Sequence, residues 1–198
     1  MPSRCFSLGV FDLYPSGGGR LEGEALSRRR CVRCRLWIYS DVAPNPLLPK
    51  RMIEIHPAQA AHARGWLSLW QGYCAELDGR VSDEATNGLW QRILSPREPI
   101  GSLLAFSREC EPVGFANYVL HPHTWSLRPV CYLEDLFVAT AARGEGAGRA
   151  LIEALVTLGR EHGWRRVYWH THENNERART LYDRLAKRTD YVRYDIEF

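Results

Sequence analysis

Lysine is almost missing from this chain. Only Lys50 and Lys187 are present among 198 residues, and arginine supplies every other basic side chain, which reads as a compositional bias before it reads as function. No apolar run approaches the twenty or so residues that a membrane-spanning helix needs, and the N-terminus has no signal-peptide h-region, so a soluble cytoplasmic protein is expected. The six cysteines (Cys5, Cys31, Cys34, Cys74, Cys110, Cys131) follow no framework spacing and do not imply a secreted disulfide scaffold. Cys31-Val-Arg-Cys34 is a lone C-x-x-C without a second pair, half of a zinc site, and no metal is expected. A basic surface is missing as well. The formal charge of +3 arises in residues 1–50, with eight Lys/Arg against four Asp/Glu, while residues 51–198 hold eighteen against nineteen. Nucleic-acid binding is therefore not indicated, and neither repeats nor a membrane anchor are seen.

The length suits one domain with a real core. Residues 1–51 carry Ser16-Gly17-Gly18-Gly19, Arg28-Arg29-Arg30 and Pro44, Pro46 and Pro49 without sustained periodicity, and read as an irregular or flexible extension. Met52 directly precedes the first convincing strand, Ile53-Glu-Ile55, which places the folded domain at 52–198 and raises the expectation that the leader reflects an upstream start codon. A helix is expected from His56-Pro57 to Leu77, with Ala60, Ala63, Leu67, Trp70 and Cys74 on one face and Asp78-Gly79 as its stop. A second opens at Ser82, a capping residue before Asp83 and Glu84, and carries Leu89, Trp90, Ile93 and Leu94. Gly101–Phe106 and Val113–Leu120 read as a strand pair with a turn near Glu111-Pro112. Further strands are expected at Tyr132–Val138, Arg166–His170 and Tyr191–Ile196, with helices after Arg149 and over about Asn175–Ala186. The class is α/β.

The densest chemistry lies at Arg143-Gly-Glu-Gly-Ala-Gly-Arg149, between a strand and a helix. Gly144, Gly146 and Gly148 at alternate positions let the backbone approach a ligand and present successive N–H groups at a helix start, an anion site that Arg143 and Arg149 flank with positive charge. The spacing matches neither the Rossmann fingerprint nor the Walker loop, where Arg149-Ala150 stands in place of Lys-Ser/Thr. Dinucleotide binding and nucleotide hydrolysis are thereby set aside.

On these residues the chain resembles the GNAT superfamily of acetyl-CoA-dependent N-acetyltransferases. Arg143, Gly146 and Gly148 meet the pattern Gln/Arg-x-x-Gly-x-Gly/Ala, Leu133–Val138 is similar to the family's fourth strand, and Asn175, Ala178, Leu181 and Tyr182 are similar to its second cofactor motif. The resemblance covers roughly Met52 to Phe198. It implies a mixed, mainly antiparallel sheet splayed at the acetyl-CoA site and flanked by helices, a homodimer as in many relatives, and a primary-amine acceptor.

Residue by residue, the resemblance implies that the backbone of Leu136, Phe137 and Val138 pairs with the pantetheine arm and that the pyrophosphate sits on Gly144, Glu145, Gly146, Ala147, Gly148 and Arg149. Asn175 and Ala178 complete the cofactor contacts, with Asn175 free to cap its helix as well. Of the adjacent carboxylates Glu134 and Asp135, which a strand sends to opposite faces, Glu134 matches the base of the spermidine/spermine acetyltransferases; binding of a cationic substrate is its other reading. Tyr182 is placed to protonate the departing thiolate, with a core aromatic as the alternative. If the two first helices wall the acceptor pocket as in the family, Glu76, Asp78, Asp83, Glu84 and Glu134 form an acidic mouth suited to a small polycation. Trp66, Trp70, Trp90, Trp125, Trp164 and Trp169 read mostly as core, with Trp66, Trp70 or Trp125 as the alternative pocket walls, and the pairs His121/His123 and His170/His172 are taken as ordinary histidines. Leu185-Ala186-Lys-Arg-Thr-Asp-Tyr191 lacks the glycine stop of many relatives and is closer to the histone/polyamine-acetylating branch. Two other readings stay open: an acetyl-CoA sensor without catalysis, and acetylation of a protein lysine or N-terminal amine.

Overall fold

In the computed structural model the described residues are 28–30, 37–39 and 53–198, apart from 78 and 80. Within the N-terminal stretch, β1 (Arg28–Arg30) and β2 (Trp37–Tyr39) form a short antiparallel ladder; the rest of it, with Cys31 and Cys34, lies outside the described residues.

The main sheet has five strands in the order β3 (Glu54–Pro57), β4 (Ile100–Phe106), β5 (Pro112–His123), β6 (Ser126–Val138), β7 (Val167–Tyr168). All pairings are antiparallel except β6 with β7. The mixed, mainly antiparallel sheet expected from the resemblance is present. Helix α1 (Ala63–Glu76) starts later than the apolar spacing implies, because residues 54–57 are drawn into pairing with Leu103–Phe106 and a single 3-10 turn at Ala60–His62 intervenes. Its buried face is Trp66, Leu69 and Trp70, while Leu67 is exposed, so the apolar stripe lies one position from the expected one. Helix α2 (Asp83–Leu94) follows the sequence signals closely: Ser82 Oγ accepts from the Ala85 N–H, and Asp83 and Glu84 occupy the first turn.

Two layers of side chains cover the two faces of the sheet. On one, α1 and α2 bury Trp66, Trp70 and Ile93 against Leu104, Phe106, Phe115 and Phe137. Trp66 and Trp70 stack at 5.5 Å, and Trp70 Nε1 donates to Thr86 Oγ1 at 3.2 Å, tying the helices together. Both tryptophans are thus core and not pocket walls, and Trp125 is 87% exposed at the β5–β6 turn. On the other face, α3 (Ala147–Glu161) lays Leu151, Ile152 and Leu155 on Leu103, Ala105, Ala116, Cys131 and Leu133. Gly163, at φ 66°, ends this helix, as its position implied.

The chain then gives β7 and α4 (Glu176–Leu185). The expected strand at Tyr191–Ile196 does not form: residues 186–198 have no ladder partner among the described residues, and Val192, Tyr194, Ile196 and Phe198 are between 71% and 118% exposed. A strand needs an edge to pair with. Strand β7 is likewise shorter than Arg166–His170, since only Val167 and Tyr168 find partners, Cys131 and Tyr132.

Because α3 holds the glycine turn to the sheet through its apolar stripe, Leu155→Ala is expected to cost about 3 kcal/mol, the middle of the range for fully buried leucines. Urea denaturation checks this, and a loss below about 1 kcal/mol contradicts so central a packing role.

Candidate active site

Strand β6 keeps its neighbour β5 as far as Val138, which pairs with Gly114, but loses β7 after Tyr132. From Leu133 onward one edge of β6 has no strand beside it among the described residues, a notch that leaves backbone N–H and C=O groups for a ligand chain. Leu136 and Val138 pack into the α3-side core and Phe137 into the opposite one, so the side chains anchor the strand and its backbone faces the opening.

The glycine turn sits at the end of this notch. Gly146 is the N-cap of α3 at φ 91°, and Gly144 stands at φ 83°, both in the left-handed region that glycine tolerates. No side chain caps the helix, and a Cβ built on either glycine meets nothing within 4 Å. The first N–H groups of α3, at Ala147, Gly148 and Arg149, therefore face open space at the positive end of a helix dipole, which fits a pyrophosphate held by backbone. Gly148 is the joint of the site: a Cβ there would stand 3.5 Å from Leu181 of α4 and 3.7 Å from Val138. Turn, strand and second motif are thereby brought together.

The flanking arginines also have structural partners. Arg143 donates through Nε to the Val138 carbonyl at 2.8 Å, forms an ion pair with Glu76 at the end of α1 and lies 5.7 Å from the centre of the Phe137 ring. These contacts tie the turn to α1. Arg149 pairs with Glu153 one helical turn on.

Glu134 and Asp135 divide as alternation implies, with a twist that the sequence does not show. Asn117 pairs with Asp135 and Tyr118 with Leu133, so Glu134 is an extra residue bulged out of the ladder. It is exposed, and burial and the Asp135 charge raise its pKa while Arg193 lowers it. Asp135 turns toward α1, where Tyr73 Oη donates to Oδ1 at 2.9 Å and Asn117 Nδ2 to Oδ2 at 3.0 Å; burial raises its pKa against those two hydrogen bonds. Tyr182 packs edge-on to Trp169 at 5.3 Å, its pKa raised by burial alone. Asn175 caps α4: its Oδ1 accepts from the Ala178 N–H at 3.3 Å and its Nδ2 donates to Thr171.

Among the described residues no three His, Cys, Asp or Glu side chains gather at metal-binding distance, and no helix is long and apolar enough to cross a membrane. Instead His121 meets the Tyr168 hydroxyl at 2.9 Å and His170 meets that of Tyr132 at 3.3 Å.

A split parallel pair ending in a backbone anion cradle can hold an extended ligand arm along one strand edge and an anionic group at the helix start. Residues 61–186 match the Acetyltransferase (GNAT) family, and the chain belongs to that family as an acetyltransferase. It is 31% identical over 156 residues to the D-amino-acid N-acetyltransferase HPA3 of Saccharomyces cerevisiae, covering 78% of this chain and 96% of that protein. The fold is shared with the ribosomal-protein-alanine N-acetyltransferase of Brucella melitensis biovar Abortus 2308 (TM-score 0.63, 22% identity, 74% of this chain and 100% of that one). It is shared also with the aminoglycoside N-acetyltransferase AAC(6')-Iy in complex with CoA (TM-score 0.64, 21% identity, 76% and 98%).

Gly146→Val places a β-branched side chain at positive φ and in the approach to the cradle. Steady-state kinetics should show the apparent KM for acetyl-CoA rising at least about tenfold with the acceptor's KM within about threefold. Equal rises for both substrates contradict the cradle.

Proposed function

We propose that the chain transfers the acetyl group of acetyl-CoA to a primary amine of a small acceptor, using residues 52–198 as its catalytic unit. The observation that carries this is the notch at Leu133–Val138 opening onto the uncapped turn Gly144–Arg149. Acetyl-CoA, when bound, supplies the activated thioester. The backbone of Leu136–Val138 orients the pantetheine arm, and Gly144, Glu145, Gly146, Ala147, Gly148 and Arg149 hold the pyrophosphate through their N–H groups, with Ala178 close by on the helix that Asn175 caps. Glu134 takes the proton that an acceptor ammonium must lose, its raised pKa favouring that role. Tyr182, kept neutral by burial and without a hydrogen-bond partner among the described residues, gives a proton to the departing thiolate.

The acceptor is a cation at the notch, where Glu134 and Asp135 are adjacent. A polycation is the finer reading, with Asp83 and Glu84 of α2 as its further partners. A zwitterionic amino acid is favoured by the curated relative's name. A panel of polyamines, aminoglycosides and D- and L-amino acids at low and high salt separates them: salt weakens the apparent affinity of a polycation strongly and that of an amino acid little. Acetylation of none of them contradicts both.

A homodimer is part of this reading. Val192, Tyr194, Ile196 and Phe198 stand exposed at alternate positions of the C-terminal segment, and Arg193 and Asp195 between them pair at 2.8 Å. So amphipathic a strand requires a sheet edge, and β7 offers an open one beside a groove of about 570 Å³. Two copies supply both to each other. Light scattering of a chain lacking residues 190–198 should give a monomer where the full chain gives a dimer; a monomeric full chain contradicts the assembly.

For the proton donor, Tyr182→Phe should lower turnover about 10²-fold with acetyl-CoA affinity held within about threefold. Unchanged turnover, measured by thiol release, removes Tyr182 from the chemistry.

A further inference from the structure

Asp135 is an unusual residue for its position. Its carboxylate meets Tyr73, whose ring packs against Phe115 and Phe137, and among the described residues no arginine, lysine or histidine pairs with it. Two neutral donors hold it, Tyr73 of α1 and Asn117 of β5, and Asn117 in turn accepts from Trp66 Nε1 at 3.5 Å. Asn117 is 2% exposed, so this network runs from the α1 core to the strand that opens the notch. An uncompensated carboxylate in such surroundings is costly to the fold. An Asn or a Leu at 135 would remove that cost, which directs attention to what the negative charge does for its neighbour.

The geometry answers. The register shift between Asn117 and Tyr118 makes Glu134 the bulged residue, and the clamp on Asp135 fixes the ladder immediately beyond it. We propose that Asp135, clamped by Tyr73 and Asn117, is a positioning residue for acetyl transfer: it fixes the bulge that presents Glu134 at the notch and sets the negative field in which Glu134 and the acceptor ammonium meet. The inference rests on the proposed role of Glu134 and adds to it a residue that touches no reacting atom. The groups that bear on Glu134 are Asp135 and Tyr132 on its own strand, Tyr73 of α1, Tyr168 of β7 and Arg193 of the C-terminal segment; those that bear on Asp135 are Tyr73 and Cys74 of α1, Asn117 of β5 and Tyr132 of β6. Of these only Arg193 opposes the negative field at Glu134.

The sign of the effect follows. The Asp135 charge raises the pKa of Glu134, so removing it lets Glu134 lose its proton at lower pH and moves the acid limb of the rate profile downward. The test is the pH dependence of kcat/KM for the acceptor in the full-length chain carrying D135N, E134Q or Y73F, beside thermal shift with CoA as the check of folding. With D135N the acid limb should fall by about one pH unit, the size expected of one neighbouring charge in a partly solvated site, and the acceptor's KM should rise about tenfold while that of acetyl-CoA stays within about twofold. E134Q should abolish the limb. Y73F keeps the charge and loosens the clamp, so it should leave the limb in place and lower kcat about fivefold. An unmoved limb in a folded D135N with E134Q still abolishing it overturns the role of Asp135 alone. A limb that survives E134Q overturns the role of Glu134, and one abolished by D135N instead makes Asp135 the base. Should D135N not fold, the Y73F result decides: a kcat equal to that of the parent overturns the clamp.

Discussion

The site depends on one asymmetry in backbone pairing: β6 is bonded to β5 throughout and to β7 over only two residues, Cys131 and Tyr132. A strand paired on both sides has no backbone groups left for a ligand, and a strand paired on neither cannot hold them in place. Half-pairing gives rigidity on one edge and hydrogen-bonding capacity on the other. The bulge at Glu134 falls where β7 leaves, so the same irregularity that opens the edge brings a carboxylate out of the ladder.

Holding the edge open requires that the elements around it be fixed from elsewhere. The leucine stripe of α3 places the glycine turn at the end of the notch, and at Gly148 the helix lies beside Leu181 and Val138. Arg143 braces the turn to Glu76 and to the Val138 carbonyl. Those contacts fix the turn, and the anion cradle offers backbone N–H groups, which cannot swing away and need no counter-charge. On the opposite face, the aromatic layer of Trp66, Trp70, Tyr73, Phe115 and Phe137 holds α1 against the strands whose edge matters.

The legible parts of the sequence were those where local chemistry decides conformation. Ser82 and Asn175 as caps, and the helix start after the glycine turn, are set over a few residues and match the expectation. Start points and partners were harder. Residues 54–57 joined a strand because Leu103–Phe106 lay ready to pair, which no window around His56 contains. The Tyr73–Asp135 and Arg143–Glu76 contacts span 62 and 67 positions, and nothing near any of the four residues marks the other. Glu134 and Tyr182 are candidates from the family pattern alone, while the bulge that exposes Glu134 is visible only as a register shift between two strands. The segment 191–196 has the alternation of a strand and lies unpaired, since alternation specifies a face and not an edge.

The account rests most heavily on where the cofactor lies, and backbone amide chemical shifts on titration with CoA address that directly. It predicts the largest perturbations at the N–H groups of residues 144–149 and 136–138, with little change at 186–191 beside the groove along β7. Perturbations concentrated at 166–171 and 186–191, with 144–149 unmoved, would contradict it.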